Sequence, residues 1–248
     1  MKNLVLFGLL VLFLIAAQFA TGQTVDQIIN KYIDARGGQN RLDSIKSIYM
    51  EGSREMMGNE LTVKVTKEQS KLSRTEFEMG AGNGYILVTD KGAWNYFPMR
   101  STEPEKLSPD AAKSMQTDLD IEGPLVNYES KGHTVSLLGK DTLNEEDCYK
   151  IKLTTKNHNE IYYWIDCKTY LLVQSSQMTN GGVSGLSKGP GELVTLYKDY
   201  GMVDGILFPH TIELKMPGSN NHNSGGTTFD KIELNVPVNA ELFKPTQD

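Results

Sequence analysis

Histidine and cysteine are scarce in this sequence, and their scarcity removes support for several kinds of chemistry. The 248 residues include four histidines and two cysteines. No histidine lies close enough in sequence to another histidine or a cysteine to give the spacing of a zinc site, and there is no HExxH motif. No GxSxG or SxxK motif precedes a predicted helix, so serine-hydrolase chemistry also lacks its usual support. We therefore predict no catalytic residue, no metal ligand and no cofactor.

Basic residues are also fewer than acidic ones. The chain carries 25 lysines and arginines against 31 acidic residues, for a formal net charge of −6. A nucleic acid or an anionic membrane surface would be repelled by this balance. Neither is predicted as a partner.

Only one segment, residues 4–20, is long and apolar enough to be considered for a membrane. It follows Lys2, and small residues lie at its end, Ala20, and two positions later, Gly22. This is the layout of a secretory signal peptide. A membrane anchor is the alternative, but the run is near the lower length limit for spanning and has no positive flank on its far side. We predict a signal peptide over 1–22, no stable membrane anchor after cleavage, and one soluble domain, periplasmic or otherwise exported, over 23–248.

The remainder of the chain contains few predicted helices. Thr24 and Gln27 form a predicted capping box before a helix that ends at Gly37, and a second short helix is predicted with Asn40 as its cap. The one internal helix is predicted over 108–119, with Ser108 as its cap. Between these helices, strands of alternating polarity follow one another with turn residues between them, which is typical of an antiparallel meander. The sequence predicts a mainly β (α+β) fold, a curved half-barrel of about 11–12 strands with a small helical lid.

The two cysteines flank a predicted hairpin. If Asn157 and His158 form a two-residue loop, Cys148 lies directly opposite Cys167. Export would permit a disulfide between them. Two reduced, packed thiols are the alternative, whereas a reactive thiol would need a CxxC motif or a convergent histidine and acid.

Two loops invite a ligand hypothesis. Residues 118–129 resemble the calcium loop of an EF-hand, but a strand is predicted after them instead of a second helix. An acidic connection between elements is the alternative. The Gly-rich loop at 178–191 lacks the Gly-Lys-Ser/Thr ending of a phosphate-binding loop, and no helix is predicted after it.

Apolar side chains repeat on one face of several predicted strands and are our candidates for the lining of a ligand cavity. They are Ile48, Met50, Val63, Val65, Phe77, Met79, Trp94 and Tyr96. Aromatic and methionine side chains suit an adaptable apolar pocket. The same pattern also fits an ordinary filled core, and periodicity alone does not separate the two.

Six segments, taken in order, resemble the outer-membrane lipoprotein-sorting proteins of the LolA/LolB-like superfamily, and in particular its exported Bacteroidetes members. They are ARGGQNRLDSIKSIYMEG, DIEGPLVNYESKGHTVSLLGKD, CYKIKLTT, YYWIDCKTYLLVQ, DYGMVDGILFPHTIEL and LNVPVNAELFKP. The resemblance runs from about Thr24 to Pro245.

This resemblance implies a half-barrel with a helical lid and an apolar cavity, and it implies no catalysis. The expected function is an envelope protein that shelters lipid or lipoprotein acyl chains, for example as a lipoprotein carrier, with a lipidated protein or a lipid as its ligand. The alternatives are a lipid-sensing or scaffold module that acts through an envelope protein partner, and an enzyme. An enzyme would require polar side chains such as His133, His210 or Glu129 to converge in a cleft.

Overall fold

The structure is a computed structural model that describes residues 23–56, 58–80, 82–179, 191–215 and 226–246. The predicted signal peptide at 1–22 lies outside the described residues, as does most of the Gly-rich loop. The prediction of one domain over 23–248 stays a prediction.

Two helices open the described chain. Helix α1 spans Val25–Arg36, and its cap at Thr24 forms the predicted capping box with Gln27. Helix α2 spans Gln39–Asp43 and is capped by Gly38. The prediction of Asn40 as the cap is wrong, because this helix begins one residue before Asn40. The inward face of α1 carries Ile28, Ile29 and Ile33, all of which are buried, so packing against the sheet stabilises the helix.

The first half of the sheet is a meander of consecutive strands. These are β1 (Ser47–Met56), β2 (Asn59–Glu68), β3 (Leu72–Met79), β4 (Gly82–Thr89), β5 (Gly92–Tyr96) and β6 (Glu105–Lys106). A second meander follows the internal helix. Its strands are β7 (Thr134–Leu143), β8 (Glu146–Thr154), β9 (Glu160–Asp166), β10 (Leu172–Thr179), β11 (Gly191–Val203), β12 (Ile206–Lys215) and β13 (Gly226–Leu234).

The two meanders join into one antiparallel sheet through the pairing of β1 with β13. The strand order is β6-β5-β4-β3-β2-β1-β13-β12-β11-β10-β9-β8-β7, so β6 and β7 are the two edges and the sheet is not closed. This open, curved sheet confirms the predicted half-barrel. The described residues contain 13 strands, and the additional one is the two-residue β6, which is too short to give an alternating pattern.

A bulge bends the sheet where the meanders meet. The register between β1 and β13 shifts between Glu51 and Gly52. A Cβ atom at residue 52 would lie 1.9 Å from the backbone oxygen of Thr228 and 2.6 Å from the Cα atom of Phe229. Glycine is required here because no side chain fits between the two backbones, and the bulge adds curvature to the half-barrel.

The internal helix packs against the concave face of the sheet. The predicted helix over 108–119 divides into helix α3 (Pro109–Ser114), capped by Ser108, and a 3-10 helix (Gln116–Leu119). The buried side chains of Ala112, Met115 and Leu119 pack against Val88 and Ala93 of the sheet. We call α1, α3, the 3-10 helix and the following loop 120–125 the helical cover.

The convex face has a cover of its own, which the sequence analysis did not predict. Side chains of the C-terminal segment, Val238, Leu242 and Phe243, pack against a buried cluster on the outer side of β3, β4 and β5. That cluster consists of Leu72, Tyr85, Leu87 and Tyr96. The outer face of this half of the sheet is therefore a second apolar layer.

The cysteine hairpin has a different register from the predicted one. Thr154 pairs with Glu160, so the loop contains five residues, and Cys148 pairs with Asp166. Adjacent residues of a strand point to opposite faces, so Cys148 and Cys167 project from opposite faces of the hairpin. The predicted cross-strand pairing is wrong, and both cysteines are free thiols in the structure.

Candidate functional site

A cavity of about 440 Å³ lies between the concave face of the sheet and the helical cover. Both meanders contribute to its wall, from β1–β4 on one side and from β9–β13 on the other. A volume of this size lies within the range of small-molecule pockets. The space is larger than the defects that a well-packed core usually leaves.

Five of the predicted lining residues lie on the cavity wall. They are Ile48, Met50, Val63, Val65 and Phe77. The first four are buried, whereas Phe77 is only half-buried although it lies on the concave face. The side chain of Met79 lies outside the described part of the structure. The placement agrees with the predicted apolar lining, and ligand binding itself stays a prediction.

Trp94 and Tyr96 do not line the cavity, and their assignment to this face is wrong. Thr89 pairs with Gly92 across a two-residue turn, and this register places Trp94 opposite Leu87 and Tyr96 opposite Tyr85. Leu87 in turn pairs with Arg74 on the convex side, so both aromatic residues belong to the outer cluster. The aromatic neighbour of Phe77 is instead Phe97, with the two ring centroids 6.0 Å apart.

Three tyrosines add hydroxyl groups to the wall opposite β1–β4. Burial raises the pKa of Tyr197 to about 12 and raises the pKa values of Tyr163 and Tyr200 well above the ordinary value. Tyr197 shares a hydrogen bond of 3.0 Å with Ser175, and Tyr200 donates to the backbone oxygen of Leu172 at 2.7 Å. The three phenols stay neutral at physiological pH, so they act as hydrogen-bonding groups and not as anions.

Arg36 is the last residue of α1, and its Nη1 atom donates two hydrogen bonds within the protein. Its Nη1 donates to the backbone oxygen of Glu122 at 2.6 Å and to the hydroxyl of Tyr32 at 3.0 Å. The guanidinium also lies 5.6 Å from the ring centroids of Tyr32 and Phe208. This arginine ties α1 to the loop of the helical cover, so its charge serves the fold.

The acidic loop 118–129 does not assemble as a calcium loop. Lys131 Nζ lies 2.7 Å from a carboxylate oxygen of Asp120 and 2.7 Å from one of Glu122. Burial raises the pKa of Glu122, and Lys131 opposes that shift. Asp118 instead lines the cavity near Lys67. Across the described ranges, no three His, Cys, Asp or Glu side chains are grouped so that they could hold a metal ion.

The side chains proposed for an enzyme have separate partners. His133 Nδ1 accepts a hydrogen bond from the backbone of Lys156 at 3.2 Å, and His210 Nδ1 lies 2.9 Å from the backbone oxygen of Phe229. Glu129 accepts from the hydroxyl of its neighbour Tyr128 at 3.3 Å. His133, His210 and Glu129 are not among the described residues that line the cavity.

Arg54 is a cavity residue that the sequence analysis missed. It lies on β1, its side chain is buried, and it lines the cavity. The signal was present, because positions 48, 50, 52 and 54 of one strand share a face. The alternation that placed Ile48 and Met50 inside therefore also places Arg54 inside.

Comparison with known proteins supports the fold. A family model described as "-like: Uncharacterized protein" matches residues 67–247. The chain belongs to that family. No curated protein matches the sequence. Across the described residues, no helix has the length and apolar character that crossing a membrane requires.

Two solved structures are similar along most of this chain. The LolA superfamily protein NE2245 from Nitrosomonas europaea is 13% identical with a TM-score of 0.55, over 90% of this chain and 98% of that one. A DUF1329 family protein from Desulfovibrio piger is 14% identical with a TM-score of 0.55, over 90% of this chain and 98% of that one. This chain therefore has the LolA-like fold that the resemblance of its sequence implied. At these identities the similarity establishes the fold alone.

Proposed function

We propose that this chain is an exported envelope protein that shelters the acyl chain of a lipid or a lipidated protein in the cavity and catalyses no reaction on it. The observation that carries the proposal is the space of about 440 Å³ behind an apolar concave face. Residues 1–22 serve as the export signal in this account, and residues 23–248 form the periplasmic, soluble part. Transfer of lipoproteins between membranes is the specific role that we propose for it.

The energetics favour an acyl ligand. Each methylene moved from water into an apolar environment gains about 0.8 kcal/mol. Ile48, Met50 and Val63 form a continuous apolar strip on adjacent strands, because Met50 pairs with Val65 and Gly52 pairs with Val63. A chain laid along this strip would bury its surface without requiring a polar partner.

The disposition of polar groups favours binding without catalysis. His133, His210 and Glu129 are engaged in separate local hydrogen bonds, and the wall tyrosines are neutral. A catalytic site would require a group whose pKa suits proton transfer beside the bound ligand.

A sensor or scaffold that acts through a protein partner would require an exposed apolar patch. The large apolar side chains that are exposed among the described residues are Met99, Leu138, Met178 and Met202. Met99 follows β5, and the other three lie on β7, β10 and β11, so they are scattered over different elements. Scattered exposed apolar residues are normal on protein surfaces, and this arrangement favours the cavity as the functional feature.

The test is a displacement titration on the protein recovered after export of the full-length chain. The neutral dye N-phenyl-1-naphthylamine would report on the cavity by its fluorescence, and dodecanol would displace it. Phe77→Asn is expected to weaken dodecanol binding about 10-fold, because it replaces an apolar wall residue with a polar one. Tyr49→Asn, which changes a half-buried aromatic residue on the convex face, is the matched control and should bind as wild type does. Absence of dye and dodecanol binding in wild type would overturn the proposal.

A further inference from the structure

Arg54 is placed at one end of the cavity, away from the acidic groups. It pairs with Leu61 on β2 and with Thr227 on β13, and both Arg54 and Thr227 line the cavity. Ile48, on the same face of β1, is six residues away, or about 20 Å at the usual rise of a strand. Arg54 therefore lies at the opposite end of the apolar strip from Ile48.

The charge of Arg54 is buried without a partner. The residue is 9% exposed, and its Nε atom is buried without a hydrogen bond. Within the described ranges, no carboxylate forms an ion pair with it and no group accepts a hydrogen bond from it. Burial lowers its pKa, yet a guanidinium keeps its proton in proteins, so an uncompensated positive charge remains.

The two other buried arginines show how this protein normally satisfies such a group. Arg36 donates to the backbone oxygen of Glu122 and to the hydroxyl of Tyr32. Arg74 pairs with Glu76 at 3.0 Å and lies 3.9 Å from the ring centroid of Tyr85. A buried arginine without partners is costly to the folded state, and such a cost is often retained for function.

The acidic groups of the cavity lie at the other end. Lys67 pairs with Ile48, and Asp118 interacts with Lys67, so this carboxylate is near the Ile48 end of the strip. Asp120 and Glu122 lie in the loop of the helical cover, and both pair with Lys131 beyond it. Lys67 and Lys131 offset these carboxylates. Arg54 has no carboxylate partner among the described residues, so an anion that enters the cavity is attracted to it.

We infer that Arg54 binds the anionic head group of the cavity's ligand. That ligand is an amphiphile with one acyl chain and with a carboxylate or a phosphate as its head group. The chain lies along Val63, Met50 and Ile48, and the head group accepts hydrogen bonds from the guanidinium. Arginine suits both anions because its planar group of donors matches their oxygens. This inference rests on the proposed function, since it names the ligand class of the same cavity.

The experiment compares 12-carbon ligands that differ in the head group, with the same exported protein and the same dye displacement. Laurate, dodecyl phosphate and dodecanol would be titrated against wild type, Arg54→Gln and Arg54→Lys. Inorganic phosphate alone is a separate arm. Arg36→Gln is the matched control, because it removes a buried arginine of the same cavity whose Nη1 atom already donates two hydrogen bonds within the protein. Thermal melting would establish that each variant is folded.

Wild type is expected to bind laurate or dodecyl phosphate about 10- to 100-fold more tightly than dodecanol, which is the usual strength of hydrogen bonds to a charged group. In Arg54→Gln this preference should fall to about twofold or less, because the affinity for laurate and dodecyl phosphate falls far more than the affinity for dodecanol. Arg54→Lys should keep part of the preference, and Arg36→Gln should keep all of it.

Three results would overturn the inference. Equal affinity of wild type for laurate, dodecyl phosphate and dodecanol would leave the proposed function standing and remove the anion from it. An equal loss of preference in Arg36→Gln would assign the effect to the general charge of the cavity instead of Arg54. Binding of inorganic phosphate that depends on Arg54, with no preference among the 12-carbon ligands, would make this a site for the free ion. Failure of all three 12-carbon ligands to bind would instead overturn the proposed function.

Discussion

The concave face of β3 offers a direct way to fill the cavity from within. Thr75 lies on this strand beside Phe77, pairs with Val65 and Ile86, and lines the cavity while half-buried. Its small side chain leaves room in front of it. Thr75→Trp is therefore expected to place an indole ring where the account places an acyl chain.

The expected loss of affinity follows from the area that the new ring covers. An aromatic side chain buries about 150–250 Å², and at 25 cal/mol per Å² the lower value corresponds to about 4 kcal/mol of lost ligand burial. That loss is about 1,000-fold in the dissociation constant if the ligand keeps its position. A ligand that shifts along the strip recovers part of it, so we expect dodecanol to bind at least about 30-fold more weakly.

The assay is dye displacement by dodecanol, with chemical denaturation as a second readout. Thr62→Trp is the matched control, because Thr62 is a half-buried threonine of β2 that lies one residue from Val63 and therefore faces the convex side. The control should leave the affinity within about twofold. The free energy of unfolding of Thr75→Trp should fall by less than about 1 kcal/mol, since overpacking a filled core costs about 1–3 kcal/mol. Wild-type affinity in Thr75→Trp would refute the placement of the ligand against β3.

Four further predictions concern other parts of the molecule. Arg54→Met should raise the free energy of unfolding by about 1–3 kcal/mol in denaturant titrations, because it removes a buried charge without a partner; a loss of stability would show that Arg54 has a structural role. Trp94→Ala should cost about 2–3 kcal/mol of stability and leave dodecanol affinity unchanged, because Trp94 packs in the convex cluster; weakened binding would return it to the cavity. Iodoacetamide at pH 8 should spare Cys148 in the folded protein, since burial raises its pKa to about 11, and mass spectrometry should find both cysteines alkylated after unfolding without reductant, whereas a disulfide would leave both unmodified. Asp118 keeps accessible surface where it lines the cavity, and desolvation by the surrounding protein raises its pKa in the folded state. The stability that its protonated form contributes is fully present below its unfolded pKa and is lost as the pH rises through the folded pKa. Asp118→Asn should therefore melt at a higher temperature than wild type at pH 7, and a difference that does not shrink on acidification would contradict this assignment.

The strands of this fold could be predicted because their alternation is strong. The pattern in β1–β5 and β7–β13 gave twelve of the strands, and the cap at Ser108 gave the start of the internal helix. The two-residue strand Glu105–Lys106 has no alternation to detect. The C-terminal segment shows little periodicity, so its packing against the convex face depends on tertiary contacts that a local pattern does not contain.

The facing of individual side chains was harder to predict than the strands themselves. In the cysteine hairpin, the five-residue loop shifts the register by one residue from the predicted two-residue loop, and such a shift reverses which face each side chain takes. For Trp94 the deciding information was the two-residue turn at Asp90 and Lys91, which fixes the pairing of β4 with β5. Arg54 was missed because the search for lining residues followed apolar side chains alone.

The most direct test of the central claim is native mass spectrometry of the protein recovered from the cell envelope without detergent after export of the full-length chain. The account predicts adducts that dissociate into acyl lipids or lipopeptides from the wild-type protein and from Thr62→Trp, and their loss from folded Thr75→Trp. A bare mass for the wild-type protein, together with no binding of dodecanol or laurate added in solution, would contradict the claim that this cavity holds an acyl chain.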